Sequence, residues 1–318
     1  MVIRTSADLR LGKLSASRRS AISEVRPVQL VDRAAAPVWT AILLAGERPG
    51  VDPLAAHFGA ASKAGIELAG ISMLRRVAST LLQAPEIGRI VILAQDAEIV
   101  FAGDAADLRR NPRVTFEPSG AGIATSIAKV LDSGTIGWPV LVTTADHALL
   151  TTAMITEFLA GAQDCDLAVG FGERKAAEAR YPETRRTWLK FADGHFSGAN
   201  LFALRNARVQ PALSLWSEIE QDRKKGWKML SRFGPMLLLR ALTRTIALPD
   251  ALARAGLGLR LFARAVVMQD PEAAIDVDKI GDHQLAERIL RTRESAAGGL
   301  TPLGRYADKR RSKTTRQD

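Results

Sequence analysis

The chain has 318 residues, 47% hydrophobic and only 5% aromatic, and a formal net charge of +10. This apolar content suits one large globular α/β domain with additions, and no uninterrupted apolar stretch approaches the about 18 residues a membrane span needs. The charge is uneven: residues 1–37 carry seven Lys/Arg against three acids, 303–318 six against two, and 223–264 ten against Asp250 alone, leaving −7 elsewhere. A mildly acidic body with basic ends and one basic insertion does not suit a chain wrapped around nucleic acid, and the few aromatics offer no base-stacking surface. The single cysteine, Cys165, excludes a disulfide framework and a Cys-based zinc site, and fits a reducing, cytoplasmic compartment. Arg4, Arg10, Lys13, Arg18 and Arg19 precede no apolar signal core.

Taken in chain order, residues 1–36 are Ser/Arg-rich, weakly periodic and expected to be mobile, with Pro37 closing them off. Val38, Ala41, Ile42, Leu43 and Leu44 then read as a strand apolar on both faces, the mark of a central strand in a covered sheet. Ala45 and Gly46 leave backbone N–H groups open to an anion, and Arg48 adds charge; a phosphate loop and an ordinary turn both fit these residues. Helical spacing over Ser72 to Gln83 and a strand over Arg89 to Ala94 complete a βαβ unit. Further strands are expected at Arg113 to Phe116, Pro139 to Thr143, Leu167 to Phe171, Trp188 to Ala192, Asn200 to Leu204 and Ala265 to Gln269. Helices are expected over Ala121 to Leu131, Thr151 to Ala160 and Lys279 to Arg291, with residues 206–262 mainly helical. The alternation argues for a three-layer α/β/α sandwich on a mostly parallel sheet, occupying residues 37–294, before a disordered basic tail over 295–318.

Four segments carry the chemistry: LAGERPG (Leu44 to Gly50), SKAGIELAGISMLRRV (Ser62 to Val77), EPSGAGIATSI (Glu117 to Ile127) and VLVTTADHALL (Val140 to Leu150). In this order they resemble the motifs of the MobA-like nucleotidyltransferases, over roughly residues 38–290. The resemblance implies a GT-A-type, Rossmann-like fold and Mg²⁺-dependent transfer of NMP from an NTP to a phosphorylated small-molecule or similar acceptor; a membrane-facing basic insertion would make that acceptor a lipid-headgroup precursor. It implies nucleotide contacts from Leu44, Ala45, Gly46, Arg48, Lys63, Gly120, Gly122 and Ser126, with Lys63, Arg48 and Asp146 catalytic. Asp146 matches the family's metal-holding aspartate, and AIDVDKIGDHQLAE (Ala274 to Glu287) resembles the DIDTPEDL ending, which makes Asp278 the second metal carboxylate. FSGANLFAL (Phe196 to Leu204) resembles the family's G-x-N-x-F-x-L strand and puts Asn200 toward the acceptor; Arg186 is the arginine expected to join it, from a loop that also holds Arg174, Lys175, Arg180 and Arg185.

The residues themselves leave alternatives. Lys63 also reads as a solvated loop lysine, Asp146 as the cap of the following helix, and Ser119 as the cap of the helix after it. Asp276 and Asp278, two apart, share a side of an extended segment, with Asp276 expected as a structural partner, Asp282 at a helix start and His147 structural. Glu47 departs from the pattern: it stands at the family's second glycine, where a carboxylate would repel a triphosphate.

In the basic insertion, GPMLLLRALTRTIALP predicts one apolar helix with Pro235 near its start and Pro249 just past its end, carrying Arg240 and Arg244 a turn apart. Such a stripe suits peripheral contact with an anionic membrane, a homodimer interface, or a cap over the site. Two other functions fit the sheet: a GT-A glycosyltransferase, which Thr144, Ala145 and Asp146 disfavour by offering one acid instead of Asp-x-Asp, and a non-catalytic nucleotide-binding protein at a membrane surface.

Overall fold

The computed structural model describes residues 38–47, 50–120, 122–221 and 235–297. The expectations for residues 1–36, for Arg48 and for 298–318 lie outside the described residues, while 295–297, expected as the start of the tail, continue the last described helix.

Among the described residues ten strands and ten α-helices follow in near alternation: β1 (Trp39–Leu44), α1 (Pro53–Phe58), the short hairpin β2 (Glu67–Leu68) and β3 (Ile71–Ser72), α2 (Met73–Gln83), β4 (Ile87–Ala94) and α3 (Ala97–Val100). Next come β5 (Val114–Pro118), α4 (Ile123–Asp132), β6 (Val140–Thr144), α5 (Thr152–Gly161), β7 (Leu167–Glu173), α6 (Arg174–Arg180), β8 (Leu189–Phe191) and β9 (Gly194–Leu204). The chain continues through α7 (Gln210–Gln221), α8 (Pro235–Leu242), α9 (Leu248–Gly258), β10 (Ala263–Met268) and α10 (Ile280–Ala297).

Eight strands form one sheet in the order β10-β7-β9-β6-β1-β4-β5, with β8 added to β9. β1 is parallel to both β4 and β6, β4 to β5, and β10 to β7; only β9, with β8 on it, runs against its neighbours. Along β1 the side chains alternate between two cores. Trp39, Ala41 and Leu43 join α2 and α5 on one face, while Ile42 joins α4 and α7 on the other. The same split divides Ile90 and Ile92 from Val91 and Leu93 in β4. Burial on both faces is why these strands read as unbroken apolar runs, and it makes a three-layer sandwich. The amphipathic α2 buries Met73, Leu74, Val77 and Leu81, each worth about 1.5–3 kcal/mol on removal from water. Ser72 starts it by accepting from Arg75 N at 3.2 Å.

The topology fixes where a ligand goes. From β1 the chain steps outward to β4 and β5, then returns to place β6 on the other side of β1. The strand order reverses there, and the crevice lies beyond the carboxyl ends of β1, β4 and β6. A third apolar cluster, in which Leu285, Ala286, Ile289 and Leu290 of α10 meet Leu54, Ile66, Leu68, Met73, Leu149 and Val277, brings the C-terminal helix to that end of the domain.

The insertion differs from its expected form. The single helix ends at Leu242 and Arg244 is left-handed at φ 57°. Thr243 Oγ1 donates to Leu239 O at 2.7 Å and Thr245 N to Arg240 O at 2.8 Å, so threonine bonding competes with continuation of the helix. Pro249 sits in the first turn of α9 and so starts the next helix, where its missing N–H costs nothing.

Candidate functional site

Three strand ends deliver three loops to one place. The register of β1 with β4 and β6 pairs Leu44 with Leu93 and Thr144, and Ala45 N and Ala145 N extend the ladder by donating to Leu93 O and Leu44 O. Gly46 follows, where an added Cβ would lie 3.0 Å from Ser119 Oγ and 3.1 Å from Gln95 Nε2, so the loops after β5 and β4 both close onto its backbone.

Opposite this loop, Lys63 opens a short 3₁₀ turn capped by Ser62, whose Oγ accepts from Gly65 N at 3.2 Å. Its Nζ donates to Asp146 Oδ2 at 2.7 Å and to Asp278 Oδ1 at 2.5 Å, joining residues that lie 83 and 215 positions apart in sequence. Asp146 is oriented by Thr144 Oγ1, which donates to its other oxygen at 2.5 Å, and its carbonyl accepts from Val277 N at 3.0 Å. Asp282 Oδ2 accepts from Asp278 N and Lys279 N at 3.2 and 3.1 Å, capping α10 and fixing the backbone that presents Asp278. Burial of Lys63 works against its charge, but the attraction and hydrogen bonds of Asp146 and then Asp278 outweigh it and hold the ammonium above its ordinary pKa. Asp146 does not cap the next helix; Thr151 does, accepting from Met154 N.

The Gly-rich segment corrects a second local expectation. Ser119 is not the cap of α4. The capping position is Gly122, and Ala124 N donates instead to Glu220 Oε2 of α7 at 3.0 Å. A Cβ at Gly122 would stand 3.1 Å from that carboxylate oxygen. Ser126 turns back on the segment, its Oγ donating to Gly122 O at 2.7 Å and accepting from Gly120 N at 2.8 Å. Ser119 Oγ is buried and finds no protein partner among the described residues.

Asn200 and Arg186 come together through a residue given no substrate role. Asp276 is buried; its carboxylate forms an ion pair with Arg186 and accepts from Asn200 Nδ2 at 2.9 Å. Asn200 adopts the left-handed conformation, φ 50°, which asparagine tolerates. Asp276 and Asp278 therefore have different partners despite their spacing of two: one faces β9 and the Arg186 loop, the other Lys63. His147 is structural, its imidazole buried with neither nitrogen bonded among the described residues and its pKa lowered to about 4, chiefly by burial, with Arg186 and Arg293 acting in the same direction against Asp146.

Gln95, Thr144 and Glu220 were missed as contributors, whereas Asp276 is the structural partner it was expected to be. Of the three, only Thr144 carries a usable sequence signal, a hydroxyl two residues before the metal-motif acid. Gln95 and Glu220 act across 48 and 96 positions, where spacing conveys nothing.

A mostly parallel sheet with its Gly loop, lysine and two aspartates gathered at the switch point defines a Rossmann-like nucleotidyltransferase. The chain belongs to the MobA-like NTP transferase domain family, whose profile matches residues 41–245. It is similar to a solved structure described as a hypothetical transferase from Thermus thermophilus, with 28% identity and a TM-score of 0.64, covering 77% of this chain and 99% of that one. It also shares its fold with 4-diphosphocytidyl-2C-methyl-D-erythritol synthase from Anaerococcus prevotii, at 10% identity and a TM-score of 0.50, covering 80% and 97% of the two chains. No curated protein matches the chain. The substrate of the class is an NTP, and no helix among the described residues is long and apolar enough to cross a membrane.

Proposed function

We propose that residues 37–294 form a Mg²⁺-dependent enzyme that transfers NMP from an NTP to a phosphorylated small-molecule acceptor and releases pyrophosphate. The observation that carries this reading is the sharing of one cation, Lys63 Nζ, by Asp146 and Asp278 at 2.7 and 2.5 Å. Two carboxylates that converge on an ammonium present hard oxygen ligands to a common point. That donor set fits Mg²⁺, which takes one or two protein carboxylates and completes its shell with waters and phosphate oxygens.

Asp146 and Asp278 would hold the ion, which when bound supplies charge neutralisation on the phosphates. The backbone N–H of Gly46, with Arg48, is assigned to the phosphates, while Leu44 and Ala45, expected to bind there too, are held in the ladder, Ala45 N by Leu93 O, and only present the loop. Gly120 and Gly122 are assigned to the nucleoside, with the buried Ser126 hydroxyl, already bonded to both glycines, shaping that segment instead of touching the base. Lys63 meets the negative charge that builds as the bond between the α-phosphorus and its bridging oxygen breaks. A phosphate oxygen of the acceptor attacks the α-phosphorus in line, one P–O bond forms as the other breaks, and pyrophosphate leaves with the electron pair. No nucleophile of the protein is needed, so the rate rests on positioning and charge. Asn200 and Arg186, held by Asp276, are assigned to the acceptor side.

The test is pyrophosphate release with ATP, CTP, GTP or UTP and Mg²⁺ across phosphorylated acceptors. Asp146→Ala is expected to reduce turnover by at least about 100-fold; turnover equal to wild type would remove the metal assignment.

Met236, Leu239 and Leu242 are exposed beside Arg240 on α8, an apolar and basic face that favours a lipid-headgroup precursor as acceptor and contact with an anionic membrane. Co-sedimentation with anionic but not neutral liposomes is the expected result. Failure with both excludes membrane contact and favours the dimer or cap.

A further inference from the structure

Glu47 stands where the family's phosphate loop carries a second glycine, and the structure gives it three bonds, two through its backbone and one, through its carboxylate, that a glycine lacks. Gln95, just past the end of β4, grips its backbone at two points: Glu47 N donates to Gln95 Oε1 at 2.9 Å and Gln95 Nε2 donates to Glu47 O at 2.8 Å. A peptide held at both its donor and its acceptor has a fixed orientation, and this one sends the Glu47 side chain across the crevice. There its Oε1 accepts from Lys63 N at 2.5 Å, a charge-assisted bond spanning 16 residues. The backbone of Lys63 is thus tied to the phosphate loop, while its Nζ reaches Asp146 and Asp278. A continuous series of hydrogen bonds runs from the end of β4 through Gln95 and Glu47 to Lys63 and on to the two carboxylates.

We propose that Glu47 is a positioning residue, which fixes the Lys63 turn against the phosphate loop and substitutes a side-chain brace for the flexibility of the family's glycine. The carboxylate is already engaged with a backbone donor, so its charge is directed to that N–H instead of standing free against the triphosphate. The inference rests on the assignment of Lys63 to charge neutralisation in the transfer step. On this basis a loose Lys63 impairs the transition state more than nucleotide binding, so the loss falls on kcat more than on KM.

The experiment compares wild type with Glu47→Gly, Glu47→Ala and Glu47→Gln in two measurements. The first is amide hydrogen exchange at Lys63 in the nucleotide-free protein, with β4 amides as the folding control. Glu47→Gly and Glu47→Ala are expected to lose at least about tenfold protection there, whereas Glu47→Gln, which keeps an oxygen acceptor, retains most of it. The second is steady-state pyrophosphate release with Mg²⁺ and whichever of ATP, CTP, GTP or UTP wild type uses. Glu47→Gly and Glu47→Ala are expected to lose about tenfold or more in kcat with KM within about threefold, and Glu47→Gln to recover most of the loss. Unchanged exchange at Lys63 in Glu47→Gly overturns the brace. So does a glycine variant as fast as wild type or faster, the result a merely repelling carboxylate would give. If wild type releases pyrophosphate from no NTP, the transfer reading fails by itself, and exchange at Lys63 decides whether the brace exists.

Discussion

Two cationic clusters lie near the carboxyl ends of the strands, and they are built in opposite ways. Around Lys63 the ion pairs are open: the lysine and Asp146 side chains keep about a fifth of their surface in solvent and Asp278 keeps 51%. Around Arg186 they are closed, with the guanidinium and Asp276 exposed by only 10% and 12% and Asn200 completing the carboxylate's bonds. An open pair can exchange partners when phosphate and metal arrive. A closed one cannot do so without leaving a charge buried and alone, so the Arg186–Asp276 contact behaves as framework, and in the proposed reaction Arg186 serves the acceptor side without giving that contact up.

The sharpest way to break this contrast is to remove the closed cation. Arg186→Met strands the Asp276 carboxylate and is expected to destabilise the fold by about 3–5 kcal/mol, read as a shift in the urea midpoint. A change below about 1 kcal/mol would place Arg186 with the exchangeable group.

His147 tests the buried ground next to both clusters. Its pKa is depressed to about 4 in the fold against 6.5 for the free side chain, mainly by burial. The unfolded chain therefore binds this proton more tightly, and the stability it contributes is present above about pH 6.5 and lost as pH falls toward about 4. The loss amounts to roughly 3 kcal/mol. In urea titrations across that range wild type is expected to lose stability relative to His147→Leu as pH falls; parallel curves would show that the imidazole is solvated.

The open cation should matter for rate and little for stability. Lys63→Met is expected to lower kcat by about 100-fold, near 2.7 kcal/mol, with a urea midpoint close to that of wild type. Comparable losses in both measurements would erase the distinction between the clusters.

The smallest effect is expected at the helix end. Glu220→Ala removes the acceptor of Ala124 N and should cost about 1 kcal/mol. If the Gly122 segment also positions the nucleoside, the same variant should raise KM for the NTP, which initial-rate kinetics would show.

Much of this was legible in the sequence because the signals were local. Ala41, Ile42, Leu43 and Leu44 announce a strand buried on both faces, and the segment ending in Asp146 announces a strand, an acid and a turn. The resemblance supplied the order in which Lys63, Asp146 and Asp278 appear. It could not supply their partners. Ser119 looked like a helix cap because the rule for caps is local, and it failed because a carboxylate 96 residues away reached the same helix end. The expected single helix over the basic insertion failed at Thr243 to Thr245, where side-chain bonding outweighed an apolar periodicity.

By itself the sequence determined the strands of the main sheet but not the β2–β3 hairpin, most helices, the doubly covered sheet and the carboxylates available at its end, since periodicity and burial are properties of neighbouring residues. Only the tertiary structure decided which acid meets which cation. Asp276 and Asp278 differ by two positions and hold different partners, because β9 and the Arg186 loop approach one while the Lys63 turn approaches the other. The same holds for Glu47: as a letter in a motif it was a misplaced charge, and the ends of β1 and β4 with the Lys63 turn give it a donor to hold. Hydrogen bonds need partners within about 3 Å, and for residues tens to hundreds of positions apart the strand order and the crossovers between strands bring them within that distance.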